Sequence, residues 1–374
     1  MTRDYSLVDV LSMNGGTGEH SYATNSHYQR SVIYETQHVV TMNIREMLEK
    51  IGFPDCIKVT DLGCSTGQNT MLAMSAIANS IIESYQQMGI KNPPEIDCCL
   101  NDLLENDFNT TFKIVPSFLE KLIKTEAKGK CFVSGVPGSF YSRLFPRKSL
   151  HFVHSAFSIH WLSKIPDSLE SNTKSIHIKH PYTPNVYKSY LNQFKNDFSD
   201  FLKMRSEEMV QNGRMVLTFV GRKASNTLSK DCFQVWSLLS DCLLDLASEG
   251  FVKKSEIESF NMPFYNPSEE EVMEVIFKEG SFEINKIEKF DHIVPYKIEY
   301  EEENDQDQSV HMEASINHAS WARCITEPLL VAHFGDAIIE PVFDKYAHYM
   351  AKYLSVTKHR PNMTLVLVVS LIRK

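Results

Sequence analysis

The sequence predicts an open, mostly parallel α/β sheet carrying a helical annex, and three observations predict it. Short apolar runs bounded by Gly, Pro or acidic residues alternate with helically periodic segments through the first part of the chain. Each connection is long enough for the crossover that parallel pairing requires. The alternation then stops, mainly helical sequence follows, and an apolar run returns at the end.

Taken in order, CIKVTDLGC (56–64) reads as a buried strand. Residues 68–88 read as a helix with Met71, Met74, Ile77, Ile81 and Ile82 near helical spacing. PPEIDCCLNDL (93–103) is a second strand, announced by prolines and ending in Asn101-Asp102. KCFVSGVPGSFYSRLFP (130–146) is a strand that breaks into a Gly/Pro turn, and SLHFVHSAFSIHWLS (149–163) is one that runs into a polar, aromatic end. A long helix near 185–211 precedes a fifth strand at 213–223. Residues 232–250, 268–279 and 310–355 are mainly helical, and EYEEENDQDQS (299–309) is a solvated surface loop. SFEINKIEKF (281–290) leads toward the final strand, MTLVLVVSLIRK (363–374). The expected division is a core of 1–167, 212–224, 280–298 and 361–374. Residues 168–211, 225–279 and 299–360 form its helical cap and insertions.

With 38 Lys and Arg against 47 Asp and Glu, the net charge is −9, and the basic residues are scattered rather than gathered into a stripe. That argues against a nucleic-acid partner and for a small ligand. The start, MTRDYSLVDVLSMNGG, lacks the apolar run of a signal peptide, and no long apolar stretch suggests a membrane span, so a cytoplasmic protein is expected. Its eight cysteines have no CxxC spacing and lie mostly in apolar runs, which reads as reduced core thiols. His151, His154, His177, His180, His311, His318 and His333 show no ligand spacing such as HExxH, so zinc is not expected.

The stretch VTDLGCSTGQNT (59–70) carries the first functional signal. In open α/β sheets a ligand lies beyond the carboxyl ends of the strands, where a Gly-rich turn lets the backbone approach it. Asp61, Gly63, Cys64 and Gly67 stand at such an end, and Asp102 stands at the end of the next strand. A carboxylate there can accept both hydroxyl hydrogens of a ribose. The run is neither GxGxxG nor a P-loop, so adenosine without phosphates, as in S-adenosylmethionine (SAM), fits better than a dinucleotide or nucleoside triphosphate. Taken alone, Gly63 and Gly67 serve equally well as a plain strand–helix turn.

Several long blocks in order raise the specificity. MNGGTGEHSYATNSHYQ (13–29), DLGCSTGQNT (61–70), NDLLENDFNTTF (101–112), GVPGSFYSRLFP (135–146), HSAFSIHWLSKIP (154–166), SFNMPFYNPSEEEV (259–272) and EPLLVAHFGDAII (327–339) cover most of the chain. The sequence resembles the plant SABATH methyltransferases of specialised metabolism. These methylate salicylic, benzoic, indoleacetic and jasmonic acids and, in some members, xanthine alkaloids. The resemblance implies a Rossmann-like class I methyltransferase open sheet with a helical cap, SAM as methyl donor, and a homodimer.

For the cofactor the resemblance implies Ser21, Tyr22 and Asn69 at the methionine end, Asp102 on the ribose, and Ser139 and Phe140 about the adenine. Asp61, Gly63, Cys64, Leu103 and Ala156 complete the site, Ala156 standing where relatives carry Ser or Cys. For the acceptor it implies Gln29 and Trp161 as donors to the two carboxylate oxygens, a role suited to an amide NH₂ and an indole N–H. Tyr22, Phe157, His160, Trp236 and Tyr265 would wall the acceptor's ring. A peripheral magnesium is implied near Asn172, Glu258, Phe260 and Asn261, where relatives usually have Asp in place of Glu258. The expected reaction is in-line methyl transfer to a small, aromatic carboxylic acid of the benzoate/salicylate or indoleacetate type. Such an acid is already ionised at neutral pH, so no general base is needed. The alternatives are a xanthine N-methyltransferase, a jasmonate or farnesoate carboxyl methyltransferase, and a non-enzymatic receptor on the same scaffold. Retention of Tyr22, Asn69, Asp102 and Ser139 speaks against the last.

Overall fold

A computed structural model describes residues 7–122, 129–170, 172, 175–178, 184–223, 234–293, 308–356 and 363–374. Among these residues lies a seven-stranded sheet in the order β3-β2-β1-β4-β5-β7-β6. Its strands are β1 (Cys56–Leu62), β2 (Glu95–Asp102), β3 (Cys131–Pro137), β4 (Leu150–Ala156), β5 (Met209–Gly221), β6 (Phe282–Ile293) and β7 (Met363–Arg373). Strands β1 to β5 pair in parallel, whereas β7 runs antiparallel to both β5 and β6. From β1 the chain winds outward through β2 and β3, then returns to β4 on the other side. This reversal opens a crevice at the carboxyl ends of β1 and β4, where open α/β sheets bind ligands.

The strands form because their apolar residues are buried by helices on both faces. In β1, Ile57, Val59 and Leu62 are fully buried; the Gln68–Gln87 helix lays Met74, Ile77 and Ile81 into the core of Ile57 and Val59, and Leu62 belongs to the core on the other face. The turn between them needs glycine. Gly63 has φ +73°, and a Cβ built there would lie 2.2 Å from Ser158 Oγ, so no side chain fits where the backbone passes the 156–161 turn.

The fifth strand begins earlier than the sequence suggests. The helix expected at 185–211 is Pro184–Glu208, and β5 starts at once with Met209 opposite Leu150. The register then shifts before Phe152 pairs with Arg214, and the extra residues bulge out with Asn212 at φ +63°. The "QNG" at 211–213 therefore marks a bulge inside a strand, not the end of a helix. The Pro184–Glu208 helix, grouped with the cap by the sequence reading, is in the connection that joins parallel β4 to β5.

The cap consists chiefly of the helices Gln234–Ser248, Gln308–Phe334 and Ile339–Val356. It shares one apolar core with the sheet face carrying Leu217, Phe219 and Val369. Two N-terminal helices, His27–Glu35 and Gln37–Ile51, pack on the opposite core through Val32, Ile44 and Met47. The polar run 299–309 falls almost wholly outside the described residues, as do Cys232 and His180. Six of the other cysteines are buried, but Cys56 is exposed at the start of β1, where the strand has not yet entered the core. No described helix is long and apolar enough to cross a membrane.

Candidate active site

A cavity of about 340 Å³ opens at the crevice and runs up under the cap. Gly63, Ser65, Asp102, Leu103, Ser139 and Phe140 line its sheet end. Asp102 is held by two backbone N–H groups. Its Oδ2 accepts the Ser65 N–H at 2.7 Å and its Oδ1 accepts the Leu103 N–H at 2.8 Å. A carboxylate has about four lone-pair sites, so each oxygen keeps one for a ligand. Burial pushes this carboxyl up to about 6, while the two backbone N–H groups pull it down. Ser65 Oγ is buried with no partner among the described residues, a further polar atom at this end. Together these groups suit the sugar of an adenosine.

The turn bearing Ser139 and Phe140 is fixed from both sides. Asn101 donates from Nδ2 to the carbonyls of Val136 and Gly138 at 2.7 and 2.8 Å. From the other side Arg205, fully buried, donates to the carbonyls of Phe140 and Ser142, both at 2.8 Å. Its charge is met by Glu208, whose carboxylate also accepts the N–H groups of Leu144 and Phe145.

Under the cap the cavity is aromatic. Phe157, His160, Trp161, Trp236 and Phe264 form one wall, with Phe264 centred 4.5 Å from His160 and 5.0 Å from both Trp161 and Trp236. Phe157 adopts φ +58°, an unfavourable backbone for an aromatic residue, held by its N–H to the Thr218 carbonyl. Trp161 is fastened by an isolated bridge to Phe264 and by the Tyr141 hydroxyl, which donates to its carbonyl at 2.6 Å. The Trp161 indole N–H has no acceptor among the described residues. Opposite, on the His27–Glu35 helix, Gln29 accepts the Trp321 indole N–H through Oε1 at 3.3 Å, and its NH₂ likewise has no acceptor among them. Burial lowers His160 to about 3, so its ring is neutral near pH 7, and Nδ1 accepts the Val220 N–H.

The expected residues thus divide. Tyr22, Gln29, Gly63, Asp102, Leu103, Ser139, Phe140, Ala156, Phe157, His160, Trp161 and Trp236 all face one cavity. Ser21, Asp61, Cys64 and Asn69 stand behind its wall. Ser21 caps the Tyr22–Asn25 helix, and Asp61 accepts from His154 at 2.7 Å. Cys64 is buried in the core, and Asn69 ties its helix to Ser26 and Arg30. Tyr265 is a correction. It does not line the cavity but points away, fully buried, with its hydroxyl bonded to Arg222 and Glu271. In extended backbone successive side chains face opposite ways, and here Phe264 faces inward.

Asn172, Phe260 and Asn261 are buried away from the cavity, and the two amides bond to one another at 2.8 Å. Glu258, the single carboxylate of that set, pairs with Lys254 at 3.5 Å. Such a self-satisfied donor set is a poor match for a hard divalent cation, and no chemistry below is routed through magnesium. Besides Phe264, the sequence reading missed Ser65, Tyr141 and Trp321. Composition held one signal: the chain has three tryptophans, and Trp161, Trp236 and Trp321 all line the cavity.

The family model described as "SAM dependent carboxyl methyltransferase" matches residues 8–374. The chain belongs to the SABATH family of SAM-dependent carboxyl methyltransferases. Among its relatives, the "Salicylate/benzoate carboxyl methyltransferase" of Arabidopsis thaliana is 49% identical over 99% of this chain and 94% of that protein. A "Probable caffeine synthase" of Coffea canephora is 39% identical over 98% of each. The solved structure of "Loganic acid methyltransferase with SAH" superposes with a TM-score of 0.82 at 32% identity, covering 97% of this chain and 98% of that one. In this methyltransferase, then, one cavity runs from the carboxyl ends of the strands to the aromatic wall beneath the cap.

Proposed function

We propose that the enzyme methylates the carboxylate of a small aromatic acid of benzoate or salicylate size, releasing the methyl ester, with Gln29 and Trp161 as the acceptor clamp. One observation carries this reading: two buried side chains, the Gln29 amide and the Trp161 indole, line the acceptor end with N–H donors that no described residue accepts. Two neutral donors match the two oxygens of a carboxylate without a buried cation. The aromatic wall suits a flat ring, and the similarity to a salicylate/benzoate methyltransferase points the same way.

SAM, when bound, supplies a methyl group on a positively charged sulfur, and Asp102, Ser139 and Phe140 are the residues suited to hold its adenosine. The rest of the work is binding and alignment. Gln29 and Trp161 orient the acid, and the aromatic wall excludes water. Holding reacting groups in line can supply roughly 7–11 kcal/mol of the barrier. No proton has to be removed, because an aromatic acid of pKa about 4 enters ionised. A xanthine N–H would need a base, and His160, lowered to about 3, does not take up a proton at neutral pH.

The purified enzyme, given labelled SAM and a panel of benzoate, salicylate, nicotinate, cinnamate, indoleacetate, jasmonate, farnesoate and xanthines, is expected to label the methyl ester of an aromatic acid. Label appearing on a xanthine nitrogen and on no acid would overturn the proposal.

A further inference from the structure

We infer that Trp321 is a positioning residue that fixes which end of the Gln29 amide faces the acceptor, an inference that rests on the carboxylate reading above. The oxygen and nitrogen ends of a glutamine amide have nearly the same shape, and only one of them can donate. If the oxygen faced the cavity, it would repel a carboxylate. Trp321 removes that choice. Its indole N–H is a donor and nothing else, and it lies 3.3 Å from Gln29 Oε1. The oxygen is thereby held toward the Gln308–Phe334 helix, and the NH₂ is left for the cavity that both residues line.

The indole is itself held in place. Its ring meets Tyr28 edge-on at 6.1 Å and His318 edge-on at 5.2 Å, and Cys324 Sγ donates to its backbone carbonyl at 3.1 Å. Gln29 is buried, so water does not compete freely for the amide oxygen. The cap thus takes part in recognition through a bond to a side chain of the N-terminal helix, as well as through apolar contact with the acceptor.

The test is a double-mutant cycle with the best acid. Trp321→Phe keeps the ring but loses the N–H. It is expected to lower kcat/KM about 3- to 10-fold, the effect of releasing one immobilised side chain, with affinity for S-adenosylhomocysteine unchanged. In a Gln29→Ala background the same change should matter less than about 2-fold, because the group it positions is gone. Trp321→His, which retains a ring N–H, should recover part of the loss. Equal losses from Trp321→Phe in both backgrounds would make it a wall residue and overturn this role alone. A Gln29→Ala enzyme that keeps wild-type kcat/KM on every acid would overturn both this role and the clamp.

Discussion

Asp102 places its carboxyl at the sheet end of the cavity. Burial raises its carboxyl to about 6, so the free enzyme changes its charge there within the working range of pH. The ionised form has lone pairs to offer hydroxyl groups, and the protonated form has fewer. Affinity for S-adenosylhomocysteine should therefore rise with pH through about 6 and level off above it. Calorimetry across pH 5 to 8 checks this, and Asp102→Asn should bind weakly with a flat profile. The stability effect has the opposite sign. A carboxyl raised above its unfolded value binds its proton more tightly when folded, so its contribution to stability diminishes as pH rises from about 4 to 6. At the same scale, Asp102, Ser139, Gln29 and Trp161 were singled out in the sequence because each lies inside a long recognisable block, and all four line the one cavity. It placed Tyr265 in the wall where Phe264 stands, because neighbouring aromatics in extended backbone cannot be assigned a face until their partner strand is known.

At the scale of elements, the strands with unbroken apolar runs were legible: β1 and β2 lie within a few residues of their expected bounds, and β4 starts where expected but ends at Ala156, well before the expected 163. The start of β5 was not. A bulge depends on the register of β4, which is a long-range fact. The N-terminal helices were also not foreseen, although His27–Glu35 carries Gln29, because its polar and apolar residues are too mixed for periodicity to stand out. The connection from β4 to β5 ends in a buried ion pair, Arg205 with Glu208, that also ties down the 139–145 turn. Arg205→Leu leaves buried Glu208 with only the partly exposed Arg143, 3.7 Å away, as its cation; removing one partner of a buried pair typically costs about 3–5 kcal/mol. The variant should melt at a distinctly lower temperature in calorimetry. Because Phe140 loses its carbonyl anchor, it should also bind S-adenosylhomocysteine more weakly where it remains folded. An unchanged melting temperature would show that the pair does not hold this turn.

The molecule as a whole sets a cap over the crevice of an open sheet, and the N-terminal segment sews the two together. The Asn14 N–H donates to the Cys324 carbonyl on the cap at 2.9 Å, its Nδ2 donates to Glu327 at 3.0 Å, and its carbonyl accepts the Tyr22 N–H at 2.9 Å. Tyr22 and Gln29 are thereby held against the cap, while Asp102 and Trp161 project from the sheet ends. The fold class was legible in the alternation of strands and helices. This stitching was not, since it joins residues more than three hundred positions apart. The central claim is that Gln29 and Trp161 grip one carboxylate, and a kinetic cycle on those two residues tests it most directly. Gln29→Ala and Trp161→Phe should each lower kcat/KM for the best acid by a factor corresponding to about 1.5–3 kcal/mol, the usual worth of a hydrogen bond to a charged group. The double mutant should lose less than the sum, with S-adenosylhomocysteine affinity near wild type. A silent Gln29→Ala, together with a Trp161→Phe enzyme whose only change is a lower melting temperature, would contradict the account.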